Sequence, residues 1–380
     1  MNKKKTYILN WGPHHPSTHG VLRLILELFG EEVLSCTPDI GYLHRGVEKL
    51  VENKDFISII PYIDRLDYLA PAIQEHAYIL AIERLLNLHV PRRANVLRCI
   101  FDELTRIASH IMAIGSATYD LGCLSLFLYG FEEREKIMAI FEEVTGARMH
   151  LTYYIPGGVC NDILAETTCR IMDCINGMGN YLRAVEKLAL HNRVFKKRTK
   201  NIGKISSDTA IKNGLSGVNL RASGIKYDVR KAISYGIYSN LNFEPIALSD
   251  GDCYARTELR YLEIKQSIEI VKQCLQVLKP GSICKFSGEI ISHRPNKPLV
   301  YNRLKLPVNT TIYSSTETPR GEFGIHMLIG NEPTKPSRVH FKSPSFASIQ
   351  LLSKILVGSK LSDVTAILGS LDFIMGCCDR

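Results

Sequence analysis

The chain has 380 residues, of which 45% are hydrophobic, and a formal net charge of +9 at pH 7. This apolar content is typical of a folded globular protein and excludes a disordered chain. No uninterrupted apolar run reaches the roughly 18 residues that a transmembrane helix needs. Because β patterning begins directly after the basic residues 1–5, we expect no removable targeting segment.

The first predicted element is an antiparallel β unit over residues 6–39. Its second strand has alternating apolar residues from Leu22 to Leu28, which places them on one face, and a turn and a third strand follow at residues 30–37. The first two strands flank the loop Gly12-Pro13-His14-His15-Pro16-Ser17-Thr18-His19-Gly20, which its prolines keep out of regular structure. Three clustered imidazoles suit proton chemistry or a ligand, but they are also compatible with a polar turn.

The middle of the chain is predicted to be helical. A helical region opens at Arg45, and Asp64 or Asp67 can cap a helix that runs to about Leu88. The next helix has Pro91 in its first turn and an apolar stripe along its length. Three later residues of this helix recur at intervals of four and share one face, namely Met112, Ser116 and Asp120. Further helices are predicted at residues 125–145, 162–199 and 252–279.

After residue 280 the pattern changes to short strands and proline-rich loops, followed by helices at residues 346–356 and 361–368. The sequence therefore predicts an α+β protein. An N-terminal antiparallel β unit (residues 1–44) and a C-terminal mixed α/β region (residues 281–380) pack on a central helical bundle (residues 45–280) as one composite domain. We expect the β-rich ends to meet on one side of the bundle.

Eleven cysteines raise the question of a metal or disulfide framework. They are scattered, no C-x-x-C pair occurs, and only Cys377 and Cys378 are adjacent, whereas iron–sulfur and structural zinc sites need paired thiolates at short spacing. We therefore predict buried, reduced thiols. The sequence also has no G-x-G-x-x-G segment after a strand. The basic run at residues 193–204 lacks a nucleic-acid recognition motif and is better explained as a solvated helix end or a docking surface.

Several longer motifs carry a family resemblance. The chain contains the histidine loop through Leu24, then Gly41-Tyr42-Leu43-His44-Arg45-Gly46-Val47-Glu48-Lys49 and Asp64-Arg65-Leu66-Asp67-Tyr68, and later Arg320-Gly321-Glu322-Phe323-Gly324 and Asp379-Arg380. In this order they resemble the hydrogenase-large-subunit-like core subunit of respiratory complex I, NADH:quinone oxidoreductase. The resemblance extends over essentially the whole chain and implies a fold like that of the large subunit of nickel–iron hydrogenases.

The resemblance implies a quinone site. His19 and Tyr68 would hold the quinone head group, and Asp120 would partner the histidine. Met112 and Ser116 become candidate pocket lining because they share the helix face of Asp120, and His15 is a further lining candidate. An imidazole N–H and a phenol O–H can each donate a hydrogen bond to a quinone carbonyl and pass on a proton.

The resemblance further implies an enzyme subunit, namely part of an H⁺-translocating NADH:ubiquinone reductase. The chain itself would bind no cofactor or metal: quinone is the substrate, an adjacent subunit holds the iron–sulfur cluster, and NADH binds elsewhere in the complex. Partners would be the iron–sulfur subunits and a membrane subunit through which quinone enters, and the chain would not be a homo-oligomer. Its place would be peripheral, on the matrix side of the mitochondrial inner membrane in an organelle-encoded protein or on the cytoplasmic side of a bacterial plasma membrane.

Two other functions are considered for this chain: a non-catalytic scaffold subunit of the same assembly and a hydrogenase. The scaffold hypothesis stays open from sequence alone. A nickel site is disfavoured, because nickel–iron hydrogenases use two cysteine pairs and the first pair's region reads Arg65-Leu66-Asp67-Tyr68-Leu69-Ala70, without cysteine. Two departures from the family pattern are Tyr154-Ile155, where Ile-Arg is usual, and Ala255, where aspartate is usual.

Overall fold

A computed structural model describes residues 5–14, 20–285, 291–292, 300–301 and 304–380. It has a mixed α+β fold, about half helical, with small antiparallel sheets towards both ends of the chain. The strands are β1 Tyr7–Trp11, β2 Arg23–Phe29, β3 Glu32–Asp39, β4 Tyr154–Ile155, β5 Gly158–Val159, β6 Ile291–Ser292, β7 Val300–Tyr301, β8 Thr310–Thr318, β9 Gly321–Ile329 and β10 Arg338–Lys342.

The helices occupy most of the chain between the two three-stranded sheets, β1–β3 and β8–β10, and most of its C-terminal end. They are α1 Val47–Val51, α2 Phe56–Ile63, α3 Pro71–Leu85, α4 Arg92–Asp120, α5 Leu124–Thr145, α6 Ala165–Gly177, α7 Gly179–Val185, α8 Arg193–Thr199, α9 Ser207–Lys212, α10 Gly217–Arg221, α11 Val229–Ala232, α12 Cys253–Val277, α13 Pro344–Ile355, α14 Leu361–Leu371 and α15 Met375–Asp379. A π-helical turn, Glu186–Leu190, follows α7, and a 3₁₀ turn, Tyr238–Asn240, follows α11.

The N-terminal sheet forms as its sequence predicts, in the order β1-β2-β3. Leu24, Leu26 and Leu28 are fully buried, whereas the residues between them are only half-buried, so the period of two in the sequence selects the core face. These leucines share an apolar core with α13 and α14, including Leu352 and Ile367. The N-terminal sheet therefore packs against the C-terminal helices rather than against the C-terminal strands in the contacts of this core.

The helical middle differs from the sequence prediction in two places. The single helix expected over residues 162–199 is divided into α6, α7, the π-helical turn and α8; α6 ends at Gly177, and glycine is a poor helix former. The helix expected to start at Asp64 or Asp67 begins at Pro71 instead, without a side-chain cap. The two aspartates are buried and bind other groups, which is why they do not cap it.

The long helix α4 runs through the centre of the fold. It begins directly after Pro91 and ends at Asp120, just before Gly122, which has a left-handed φ of 92°. It packs against α5, α12 and α14, so its buried face reaches both the helical core and the C-terminal end of the chain. No helix in the part of the chain that the structure describes is long and apolar enough to cross a membrane.

The last residues of the chain are fixed against a segment near its beginning. The carboxylate of Asp379 accepts hydrogen bonds from the backbone N–H groups of Gly41 (2.9 Å) and Leu43 (2.8 Å), and Nδ1 of His44 contacts the Asp379 carbonyl at 2.7 Å. Arg380 reaches the Phe341 carbonyl. This closure holds α15 next to the segment that precedes α1.

Candidate functional site

Tyr68 lies on the turn between α2 and α3. The residue is 38% exposed, so it can contact a molecule outside the chain. Partial burial raises the pKa of Tyr68, and the nearby positive charge of Arg320 opposes this rise. The phenol is therefore protonated at neutral pH and available as a hydrogen-bond donor.

Beneath Tyr68, Arg320 joins two buried carboxylates. Its Nη1 donates to Oδ2 of Asp67 at 2.9 Å and to Oγ of Ser109 at 3.2 Å, and its Nη2 donates to Oδ1 of Asp372 at 3.2 Å. Burial raises the pKa of Asp67, Arg320 opposes that rise and Asp372 adds to it. Nε of Arg320 and Oδ2 of Asp372 are buried without a hydrogen-bond partner among the described residues. Each of these atoms can therefore form a hydrogen bond with water or a ligand.

Arg320 is presented by a tight hairpin turn between β8 and β9, in which Thr318 pairs with Gly321. Gly321 has a φ of +135°, and a Cβ there would lie 2.4 Å from Oγ of Ser216, so only glycine allows this approach. The hairpin is anchored by Arg106, which donates to the Glu317 carbonyl at 2.5 Å, and by Arg221, which donates to the Glu317 carboxylate at 2.7 Å. A rigid support of this kind fixes the guanidinium beside Asp67.

The two histidines predicted for the site, His15 and His19, lie outside the described residues. The C-terminal end of their loop is described. A Cβ at Gly20 would lie 3.1 Å from Cγ of Met375, and a Cβ at the next residue of α15, Gly376, would lie 3.0 Å from the Leu66 carbonyl oxygen. The end of the histidine loop and the turn that carries Tyr68 therefore contact adjacent residues of α15.

Asp120, Met112 and Ser116 are all half-buried on α4. Oδ2 of Asp120 is close to α14, because a Cβ added at Gly369 would lie 3.3 Å from it. The hydroxyl of Ser116 donates to the Ala113 carbonyl of its own helix at 3.2 Å, so its proton is already engaged. Ser109, which contacts Arg320, is eleven residues before Asp120, a spacing of about 16 Å along the helix axis.

The end of α14 connects the two parts of the candidate site. Gly369 is next to the Asp120 carboxylate, and Asp372, three residues later, binds Arg320. The structure thus places Asp67, Arg320 and Asp372 close enough to Tyr68 to act on its phenol electrostatically, and the end of α14 lies next to both this group and the Asp120 carboxylate.

Cys377 is buried behind the Tyr68 turn. Its thiol donates to Oγ of Ser343 at 3.0 Å, and it accepts a hydrogen bond from Nε2 of Gln74 at 3.7 Å. Burial raises the pKa of Cys377 to about 12, so it is a thiol and a poor metal ligand at neutral pH. Across the part of the chain that the structure describes, no cluster of three or more histidine, cysteine or acidic side chains is placed to hold a metal ion.

Sequence reasoning missed the group that supports Tyr68. Arg320 and Asp67 were part of family motifs without an assigned role in the site, Asp67 was otherwise considered as a helix cap, and Asp372 was not singled out. The separation of Asp67 from Arg320 is 253 residues, so no local pattern relates them. The one signal that could have suggested the pairing is chemical: arginine and aspartate are rarely buried unless they are paired with an opposite charge.

Comparisons with known proteins agree with the family resemblance that the sequence motifs carry. The family model described as "Respiratory-chain NADH dehydrogenase, 49 Kd subunit" matches residues 120–380. The chain is 42% identical over 395 residues to the NADH-ubiquinone oxidoreductase 49 kDa subunit of Pylaiella littoralis, covering 100% of this chain and 98% of that protein. The chain belongs to the complex I 49 kDa subunit family. A bacterial relative, an NADH-quinone oxidoreductase subunit from Rickettsia typhi, is 43% identical over 390 residues, covering 99% of each chain.

Membership of the 49 kDa subunit family makes this chain a subunit of the NADH–quinone oxidoreductase of mitochondria or bacteria, and its partners are other complex I subunits. The relatives match over nearly their whole length, so the comparison applies to the sheets near both ends of the chain and to the helices. Seven of the eleven cysteines are buried, which agrees with the predicted burial of most of them.

Proposed function

We propose that this 49 kDa family member forms the quinone-reduction site of complex I together with the adjacent iron–sulfur subunit. The observation that carries the proposal is Tyr68, a protonated and partly exposed phenol held above the buried group Asp67–Arg320–Asp372. The end of the histidine loop approaches the same turn through α15, which supports a role for His19 beside Tyr68.

Reduction of a quinone takes two electrons and two protons, and the iron–sulfur cluster of the partner subunit supplies the electrons. The Tyr68 hydroxyl donates a hydrogen bond to one quinone carbonyl and passes on its proton as negative charge develops there. The positive charge of Arg320 favours the deprotonated phenol that remains. His19 serves the second carbonyl, Asp120 stabilises its imidazolium form, and Met112, Ser116 and His15 line the approach.

Other features of the proposal follow from the same family. The chain binds no cofactor or metal of its own, and NADH binds elsewhere in the complex. Its fold is that of a nickel–iron hydrogenase large subunit, with residues 1–44, 45–280 and 281–380 forming one composite domain. It lies peripherally above the membrane subunit through which quinone enters, on the matrix or cytoplasmic side, and it is not a homo-oligomer.

The test is Tyr68→Phe in the assembled complex, because this change removes only the hydroxyl. We expect kcat/KM for quinone reduction to fall at least about tenfold, since a lost hydrogen bond costs about 1 kcal/mol and a lost proton donor costs more. Electron transfer from NADH to ferricyanide, which does not use the quinone site, should be unchanged.

Tyr129→Phe is the matched control, because Tyr129 is an exposed tyrosine on α5 outside the site. Both rates should be unaffected by it. If Tyr68→Phe leaves quinone reduction and quinone affinity unchanged in an intact complex, the scaffold alternative replaces the catalytic one.

A further inference from the structure

A second buried group lies at the base of the turn that presents Tyr68. Asp64 directly follows α2 and Glu75 lies near the start of α3, and both side chains are fully buried. One oxygen of each carboxyl is well supplied with donors. Oδ2 of Asp64 accepts from the backbone N–H (3.2 Å) and the hydroxyl (3.1 Å) of Thr152, and Oε2 of Glu75 accepts from the backbone N–H groups of Tyr153 (2.9 Å) and Tyr154 (3.0 Å).

The other oxygen of each carboxyl has no donor among the described residues. Oδ1 of Asp64 and Oε1 of Glu75 are both buried and unpartnered, and the two side chains are within hydrogen-bonding reach of each other. Two ionised carboxylates offer only acceptors, so this contact requires a proton on one of them. Two adjacent buried carboxyl groups cannot both ionise without a large cost.

We propose that Asp64 and Glu75 share one proton, carried by Glu75, and that this proton fixes the turn on which Tyr68 acts. The inference rests on the proposed quinone-reduction function. Glu75 donates through this proton to Asp64, which ties the end of α2 to α3 and to the segment at residues 152–154. Tyr68 is four residues after Asp64 on the same turn, so the two carboxyls act as positioning residues for the phenol.

Electrostatics agree with a proton on Glu75. Burial and the adjacent charge of Asp64 hold the pKa of Glu75 well above its ordinary value. Burial raises the pKa of Asp64 to about 6, against the lowering effect of its hydrogen bonds from Glu75 and Thr152. Both shifts favour a proton shared by the pair, and the larger rise at Glu75 places it on Glu75 rather than on Asp64.

The other charged groups around the pair come from three segments. Arg65 follows Asp64 in the turn and lowers its pKa. His150, in the segment after α5, contacts the Asp64 carbonyl with Nδ1 at 3.3 Å, and burial together with the charges of Arg65 and Arg45 lowers the pKa of this imidazole. The pH dependence expected for the pair thus includes the titration of His150, and a variant must separate the two.

Glu75→Gln provides this separation. A glutamine keeps an oxygen for the two backbone donors and an N–H for Asp64, so it reproduces the neutral acid without its titratable proton. Infrared difference spectra of the assembled complex should contain the C=O band of a buried carboxylic acid at neutral pH, and this band should be missing in Glu75→Gln. The control is Glu83→Gln on the same helix, where the carboxylate accepts two hydrogen bonds from Arg98; there the band should persist. An unchanged band in Glu75→Gln overturns the shared proton.

The positioning role is tested by the pH profile of quinone reduction. Glu75→Ala should lower kcat at least about fivefold, the equivalent of one lost hydrogen bond, and Glu75→Gln should restore it and retain activity at alkaline pH where the wild type declines. A Glu75→Gln profile that superimposes on the wild type overturns the role even if Glu75→Ala fails to assemble. Tyr68→Phe in the same preparation distinguishes the proposals: if it has no effect, the quinone-site function fails, and if it alone has an effect, only the positioning role fails.

Discussion

Arg320 provides the most direct test of the group beneath Tyr68. Replacement by methionine keeps much of the side-chain volume but removes the positive charge between Asp67 and Asp372. The guanidinium lies 2.9 Å from one carboxylate and 3.2 Å from the other, and each contact corresponds to about 5 kcal/mol of attraction at an effective dielectric constant near 20. Breaking a buried ion pair by removing one partner typically destabilises a protein by about 3–5 kcal/mol.

The loss of folding stability in Arg320→Met has an upper bound that depends on pH. Without Arg320, one aspartate can accept a proton, and protonating a carboxyl with an ordinary pKa near 4 costs about 4 kcal/mol at pH 7 and about 1.5 kcal/mol at pH 5. The folded-state pKa of the remaining pair is raised in the variant, so its stability falls as pH rises. We therefore expect the deficit of Arg320→Met relative to the wild type to be largest at neutral pH and to shrink on acidification.

Denaturant unfolding of the purified chain, followed by circular dichroism at pH 5 and pH 7, measures this deficit. The control is Arg338→Met, because Arg338 is half exposed and pairs with Glu48 and Glu52 at 3.3 Å on the surface, where such pairs contribute at most about 1 kcal/mol. If Arg320→Met costs no more than Arg338→Met, or if its deficit grows on acidification, the description of a buried charge group is wrong.

Two further predictions concern the charge of Asp120 and the burial of Cys377. Asp120→Asn should slow quinone reduction at least about tenfold, since it removes the charge proposed to stabilise an imidazolium, while ferricyanide reduction by NADH is retained; equal loss of both rates would indicate failed assembly. Alkylation of the folded protein should label exposed Cys169 at least about a hundredfold faster than Cys377, whose pKa burial raises to about 12. Peptide mass spectrometry measures the ratio, and comparable rates would contradict the burial of Cys377.

Local patterns in the sequence predict the elements well where one periodicity dominates. The alternating leucines of β2 predict its buried face, and Pro91 marks the start of α4 within one residue. The helix expected at residues 162–199 fails because its periodicity continues through Gly177 while the backbone does not. Asp64 and Asp67 fail as caps because tertiary partners compete for their carboxylates.

The candidate site can be predicted only in part from the sequence. Tyr68 and Asp120 were identified through the family resemblance, but nothing in their spacing reveals that the end of α14 lies next to both the Asp120 carboxylate and Arg320. The partners of the buried charges come from distant segments, as Thr152 does for Asp64 and Asp372 does for Arg320. Such pairs depend on how helices and the hairpin pack, which local propensity does not encode.

The closure of Asp379 on Gly41 has a consequence for biosynthesis. These residues are 338 positions apart, so at about 5–20 residues per second the ribosome needs roughly 20–70 seconds to add the second after the first. During that time the segment from the N-terminal sheet to the Tyr68 turn has emerged without α13, α14 and α15 to cover its leucines. The nascent chain thus exposes apolar surface for tens of seconds. We expect it to depend on chaperones most strongly early in its synthesis.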